Sequence, residues 1–227
     1  MTTDDLITSL VRDLRPVRPL DLPLVRLRRW LVIAIAAVVM GVAAFGLRRD
    51  ASAALGEWQL PVDSVMLALV AGLSAAAALR LSVPGERAPS QAVSVVLALG
   101  WLGSLWWASW HTGGLAPGPG LARVLGGGGW WCSVQQALIG AACGGVLLAM
   151  VNRGVALERG RVAALIALSA AAAGAMTSEW TCASSGPLHL LVWHAGGAAL
   201  FVVTGSAAGL VSLSQRTAAR PWARPRA

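Results

Sequence analysis

The chain has 227 residues, of which only 12% are charged and 56% are apolar, with a formal net charge of +8 and a mean hydropathy of +0.67. A soluble domain carries about 25% charged residues, whereas six apolar spans of about 20 residues would consume most of this chain. What remains is loop and tail, too short at any one place to bury a core. That excludes a soluble catalytic or receptor domain, a nucleotide-binding fold and a water-soluble DNA-binding module.

The first element is a short helix. Thr2-x-x-Asp5 has the pattern of a capping box, and Asp4 and Asp5 suit the positive end of a helix. Leu6, Ile7, Leu10, Val11 and Leu14 then recur at helical spacing. Pro16 ends the run, and Pro19 and Pro23 keep the linker extended. A helix this short does not hold itself in water. Its apolar stripe needs the membrane surface, the underside of the bundle or the groove of another protein, and the acidic first turn weakens the membrane option.

Six membrane spans follow, predicted at Trp30 to Leu47, Val62 to Val83, Gln91 to Trp110, Cys132 to Val151, Arg161 to Ser178 and Leu188 to Val211. Pro84 and Gly85 stop the second. The Gly/Pro-rich loop before Trp131 contains Gly126 to Gly129, a run expected to be too flexible for regular structure. The fifth span is Ala-rich and has the weakest signal. The expected organisation is therefore all-α: residues 1–29 as an N-terminal segment, 30–211 as a six-helix transmembrane bundle, and 212–227 as an Arg-rich tail.

Every one of the 18 basic residues is Arg. With six spans both termini share one side, and that side collects 15 arginines against three (Arg48, Arg49 and Arg123) on the other. The positive-inside rule then puts both termini in the cytoplasm, and the tails read as topology and lipid contact, with no direct nucleic-acid role. The long polar segment before the first span does not look like a cleavable signal, and Arg28-Arg29-Trp30-Leu31 reads as an anchored helix start before it reads as a twin-arginine signal. Seven tryptophans (Trp58, Trp106, Trp107, Trp110, Trp130, Trp131 and Trp180) fall at the outer interface, as an aromatic belt or as a wall around an outward-facing site, while Trp30 marks the inner start. Gly140 with Gly144, and Gly205 with Gly209, make small faces for close packing inside the bundle or in a homodimer.

Polar chemistry within the spans is sparse. No Asp, Glu, Lys or Arg sits mid-span, Asp63 and Arg80 lie near helix ends, and no two carboxylates share a depth. Nucleophile-elbow and His-Glu-x-x-His patterns are missing. An enzyme and an ion-coupled transporter are both disfavoured.

What could carry function gathers at the outer face. Cys132 opens the fourth span and Cys182 follows the fifth, which leaves a structural disulfide, a soft-metal site and a redox switch open. Cys143 lies about 16 Å deeper and reads as a small buried residue. His111 sits at the outer end of the third span, and His189 and His194 begin the sixth. Five residues apart on an α-helix, the latter two diverge by about 140°, so they do not form one ligand pair. His189 is within reach of the cysteines, with Glu179 as a further oxygen ligand, although a lone interfacial His is usually a hydrogen-bonding rim residue.

Taken in order, Thr3-Asp-Asp-Leu-Ile7, Asp13-Leu-Arg-Pro-Val17, Arg80-Leu-Ser-Val-Pro-Gly85, Trp180-x-Cys182 and Pro187-x-His189 to Trp193-His194 resemble the NrsF-type anti-sigma factors, six-span proteins of the bacterial inner membrane. The resemblance runs the length of the chain. It implies a protein that holds an extracytoplasmic-function (ECF) sigma factor away from RNA polymerase and releases it under heavy-metal or oxidative stress. Cys132 and Cys182 correspond to the two cysteines linked to sensing, and the N-terminal helix, with Asp4, Asp5, Leu6, Ile7, Leu10, Val11 and Leu14, becomes the docking element. No cofactor is required on this reading, and a soft metal ion is a signal. The alternatives are a small metal-handling transporter or channel with an outer Cys/His rim, and a structural membrane subunit with a disulfide.

Overall fold

A computed structural model describes residues 2–12, 19–87, 91–111, 122, 124–125, 127–182, 184 and 186–218. All elements among them are helical: α1 (Thr3–Arg12), α2 (Pro23–Phe45), the short α3 (Ala51–Gly56), α4 (Gln59–Leu81), α5 (Gln91–His111), α6 (Trp130–Val151) and α7 (Arg159–Thr181). The last, α8, opens with one turn, Pro187–His189, passes through a π-helical segment, Leu190–Ala195, and continues as Gly196–Ala218. Six of these helices are long and apolar enough to cross a membrane.

The fifth span, whose sequence signal is weakest, is the axis of the bundle. In α7, Ala163, Ala167, Ala170 to Ala173, Gly174 and Ala175 are buried, and α4, α6, α8 and α2 pack around them. Small side chains explain both observations: alanine contributes little to hydropathy, and it lets four neighbours approach one helix closely. The two glycine pairs serve this axis within one chain. A Cβ at Gly140 or Gly144 would press on Ala170, one at Gly205 on Ala167, and one at Gly209 on Ala163.

The first long helix starts at Pro23, seven residues earlier than the predicted Trp30. Proline is suited to the first turn, where its missing N–H costs nothing. The shift corrects the reading of two residues. Trp30 is not an interfacial anchor: it is 1% exposed, and its Nε1–H donates to the Cys143 carbonyl at 3.1 Å. Arg26 is buried as well, donating from Nη1 to Ser82 Oγ at 3.2 Å and from Nη2 to the Met150 carbonyl. Its guanidinium thus sits against the C-terminal ends of α4 and α6, where the helix dipoles favour a cation. Ser82, in the Arg80–Gly85 stretch, also accepts the Val155 N–H through its carbonyl at 2.8 Å.

At the opposite end, Arg48 is the corresponding bolt. Its backbone N–H donates to Trp180 O (3.0 Å) and its Nη1 to Glu179 O (3.4 Å), at the C-terminus of α7. The same guanidinium grips Asp50 in a fork, Nε to Oδ1 and Nη2 to Oδ2, both 2.8 Å. This hydrogen bonding raises Arg48 above its ordinary range and holds the Asp50 carboxyl down at about 2. Trp58, Trp106, Trp107, Trp110, Trp130 and Trp131 are all exposed, as an aromatic belt requires. Trp180 instead turns inward and donates to Ser64 Oγ at 3.1 Å.

Candidate functional site

Three local features bring the site together. Cys132 lies in the first turn of α6, its N–H bonded to Gly129 O at 3.0 Å. Of the run Gly126 to Gly129, Gly126 lies outside the described residues and 127–129 form a turn, outside any regular helix. Gly128 has φ +75°, a conformation that favours glycine. At Gly129 a Cβ would lie 2.2 Å from the Trp193 ring. Trp193 also donates from Nε1 to Val124 O at 2.9 Å. Cys182 ends α7, its N–H bonded to Ser178 O at 2.8 Å as the backbone turns extended. The third feature is the start of α8, set by Pro187 after an extended Gly186.

The thiols meet. Cys132 Sγ is 3.3 Å from Cys182 Sγ, and both are free. His189 Nε2 lies 3.3 Å from Cys182 Sγ and 3.8 Å from Cys132 Sγ. Cys182 is buried, and Cys132 and His189 are half-buried. The hydrogen bond from Cys132, followed by that with His189, holds Cys182 below the ordinary thiol range against the opposing effect of burial.

His194 joins them, which the sequence reading missed. The π-helical segment closes with an i→i+5 bond from Gly196 N–H to Leu191 O. A turn of that width stacks residues five apart, so His189 and His194 share a face with ring centroids 5.7 Å apart. The 140° divergence holds only for a regular α-helix. Ser133 Oγ secures the segment to α6 by donating to Trp193 O at 2.6 Å. One ligand atom each from Cys132, Cys182, His189 and His194 then lies within 4.8 Å of every other.

Glu179 is not among these four groups. Its Oε1 faces His194 Nδ1 at 3.4 Å, with both side chains buried. Asp63, Glu179, Glu57 and Arg48 line a cavity of about 40 Å³ beside the site, roughly enough for one water. Two buried carboxylates thus do share a depth, Asp63 on α4 and Glu179 on α7, because Trp58 ends its loop early enough to carry Asp63 inside the bundle. His111 stays apart, packed on Trp107 with centroids 4.1 Å apart. Cys143, deep in the core, is fully buried.

Near the start of the chain, α1 has the predicted box: Asp5 N–H donates to Thr2 Oγ1 (3.2 Å), and Thr2 N–H and Oγ1–H donate to Asp5 Oδ2 (2.9 and 2.8 Å). These bonds lower the Asp5 carboxyl below its usual range. Asp4 is exposed, as are Leu6, Ile7 and Val11 at 42%, 52% and 58%. Leu14 and the side chain of Leu10 lie outside the described residues.

A family model described as negative regulator of sigma F (NrsF) matches residues 10–214, from the end of α1 almost to the end of α8. No curated protein matches the chain, and no solved structure does. With nine-tenths of its length inside that match, the chain belongs to the NrsF family of negative regulators of sigma F.

Proposed function

We propose that this protein is a membrane-bound anti-sigma factor of the bacterial inner membrane. It holds an ECF sigma factor on the cytoplasmic side through α1 and releases it when the Cys132–Cys182 pair on the other side takes up a soft metal or is oxidised. The observation that carries the reading is the thiol pair itself, 3.3 Å apart and free at one end of the bundle. α1, which precedes α2 in the chain, carries an exposed apolar stripe. An anti-sigma factor acts by binding, so this reading needs no catalytic group.

The two ends are far apart. Helix α6 runs 22 residues from the thiol end to the Met150 end, about 33 Å at 1.5 Å per residue. A signal must therefore pass through the helices, and α6, α7 and α8, which carry Cys132, Cys182 and the imidazoles, all run that distance. To move the sigma factor from mostly bound to mostly free takes about 5.5 kcal/mol of differential affinity, within the range of a thiolate–metal centre.

The test uses inner-membrane vesicles carrying the full chain, mixed with the ECF sigma factors of the same bacterium. One of them is expected to sediment with the vesicles and to leave on addition of Cd²⁺ or a peroxide. Cys132→Ser and Cys182→Ser are expected to retain the sigma factor under both treatments. A sigma factor that never sediments, or one that leaves both variants as it leaves the wild type, overturns the reading.

A further inference from the structure

We infer that His189 and His194 are ligands, and that with Cys132 and Cys182 they form a four-coordinate S₂N₂ centre for a divalent d¹⁰ cation such as Zn²⁺ or Cd²⁺. This inference rests on the sensing role proposed for the thiols and specifies what they bind.

Four donors from three segments converge here: Cys132 from the start of α6, Cys182 from the end of α7, and both imidazoles from the start of α8. Their ligand atoms all lie within 4.8 Å of one another. Two thiolates and two imidazoles are the donor set of tetrahedral d¹⁰ sites. The charge also fits. Two thiolates neutralise a divalent cation, so the filled centre carries no net buried charge, and the exchange balances as M²⁺ plus two thiols giving the dithiolate complex and two protons.

The observation that points to a ligand, and away from a plain disulfide, is His194. Its side chain is 0% exposed, its Nδ1 faces Glu179, and its Nε2 is buried with no hydrogen-bond partner. Buried polar atoms are almost always satisfied. A disulfide would consume both sulfurs and leave that nitrogen unpaired, whereas a metal engages both sulfurs and Nε2 together. Glu179 then has the place of an outer-shell carboxylate, fixing the tautomer that leaves Nε2 free for the metal.

The π-helical segment gives the centre its second half. It is the local device that brings residues five apart onto one face, and π-turns inside α-helices are rare and frequently lie at functional sites. Ser133 and the Trp193 ring over Gly129 hold that segment against α6, so α6 and α8 are joined beside the metal position as well as through it.

The experiment takes the reduced full-length protein in nanodiscs and titrates it with Co²⁺, then with Zn²⁺ in competition. The wild type is expected to give the intense visible bands of tetrahedral cobalt together with thiolate-to-cobalt charge transfer. X-ray absorption of the Zn²⁺ form is expected to fit two sulfurs and two nitrogens, a measurement that needs no variant to fold. His189→Gln and His194→Gln are each expected to lose more than tenfold in Zn²⁺ affinity. If both variants bind as tightly as the wild type, or the absorption data fit sulfur without nitrogen, the ligand set is overturned while thiol sensing stands. If Cys132→Ser and Cys182→Ser also leave binding unchanged, the thiol reading falls with it. If the reduced wild type binds neither ion, the centre is overturned, and the vesicle assay with peroxide still decides the thiol reading.

Discussion

The carboxylate of Glu179 stands 3.4 Å from Nδ1 of His194, with the two side chains 4% and 0% exposed. A pair this dry is demanding, because an unsatisfied partner costs far more inside than at the surface. Glu179 comes from α7 and His194 from α8, so the contact also ties the bundle's axis to the helix that presents the imidazoles. Glu179→Gln keeps the shape and one hydrogen bond but removes the charge. Zn²⁺ affinity is expected to fall about 10–100-fold, the usual effect of an outer-shell carboxylate, with the four-ligand cobalt spectrum retained. Competition against a chelator of known affinity measures it, and an unchanged constant removes Glu179 from the site.

The Arg48–Asp50 fork makes a pH prediction. Asp50 is held at about 2, below its ordinary 3.8, by the Arg48 hydrogen bonds. A carboxylate depressed by folding stabilises the folded form above its unfolded pKa and ceases to do so as pH falls through the folded one. The loop that joins α2 to α4 is therefore expected to stay anchored down to pH 4 and to loosen between pH 4 and about 2. Hydrogen exchange at the Arg48 amide, bonded to Trp180 O, reports it. Asp50→Asn is expected to remove the acid step.

Close approach to α7 can be tested by volume. A Cβ at Gly174 would lie 2.3 Å from the Gln136 carbonyl oxygen, a backbone atom that cannot swing aside, whereas one at Gly72 on α4 meets nothing within 4 Å. Gly174→Ala is expected to cost about 1–3 kcal/mol by overpacking. Gly72→Ala is expected to be neutral or slightly stabilising, since alanine favours the helix. Thermal unfolding of the two purified proteins should separate them clearly.

These residues also explain what could be read from the sequence. Spans were legible because runs of apolar residues with the length of a bilayer have few other uses, and the capping box of α1 because its signal is local. Trp30 was misplaced because a helix start marked by Pro23 within an Arg-rich stretch has little hydropathic contrast. The centrality of α7 was hidden for a different reason: packing that depends on small side chains lowers the very hydropathy by which spans are found. Cys132, Cys182 and His189 could be gathered by depth alone. His194 could not, since i and i+5 oppose each other on an α-helix and coincide only where the backbone takes a π-turn. Asp63 lies near a predicted span end and Arg26 ahead of the predicted first span, and the cavity shared with Glu179 and the bond to Ser82 make both of them interior.

The last prediction concerns α1. Leu6, Ile7 and Val11 are exposed on a helix of ten residues, a length at which an isolated helix is marginal in water. Full burial of such side chains contributes about 1.5–3 kcal/mol each, enough for a partner's groove to order the helix as it binds. Leu6→Asp combined with Ile7→Asp is expected to lower sigma-factor retention on vesicles more than tenfold and to leave Zn²⁺ affinity unchanged, since the metal ligands lie beyond Trp130. Thr2→Ala removes the cap whose hydroxyl accepts the Asp5 N–H. It costs about 1 kcal/mol of helix stability, so a smaller loss, about fivefold, is expected because the apolar stripe is intact. Co-sedimentation of the sigma factor across the three proteins measures the order. Equal retention by all of them would move the docking surface off α1 and onto the Arg26 end of the bundle.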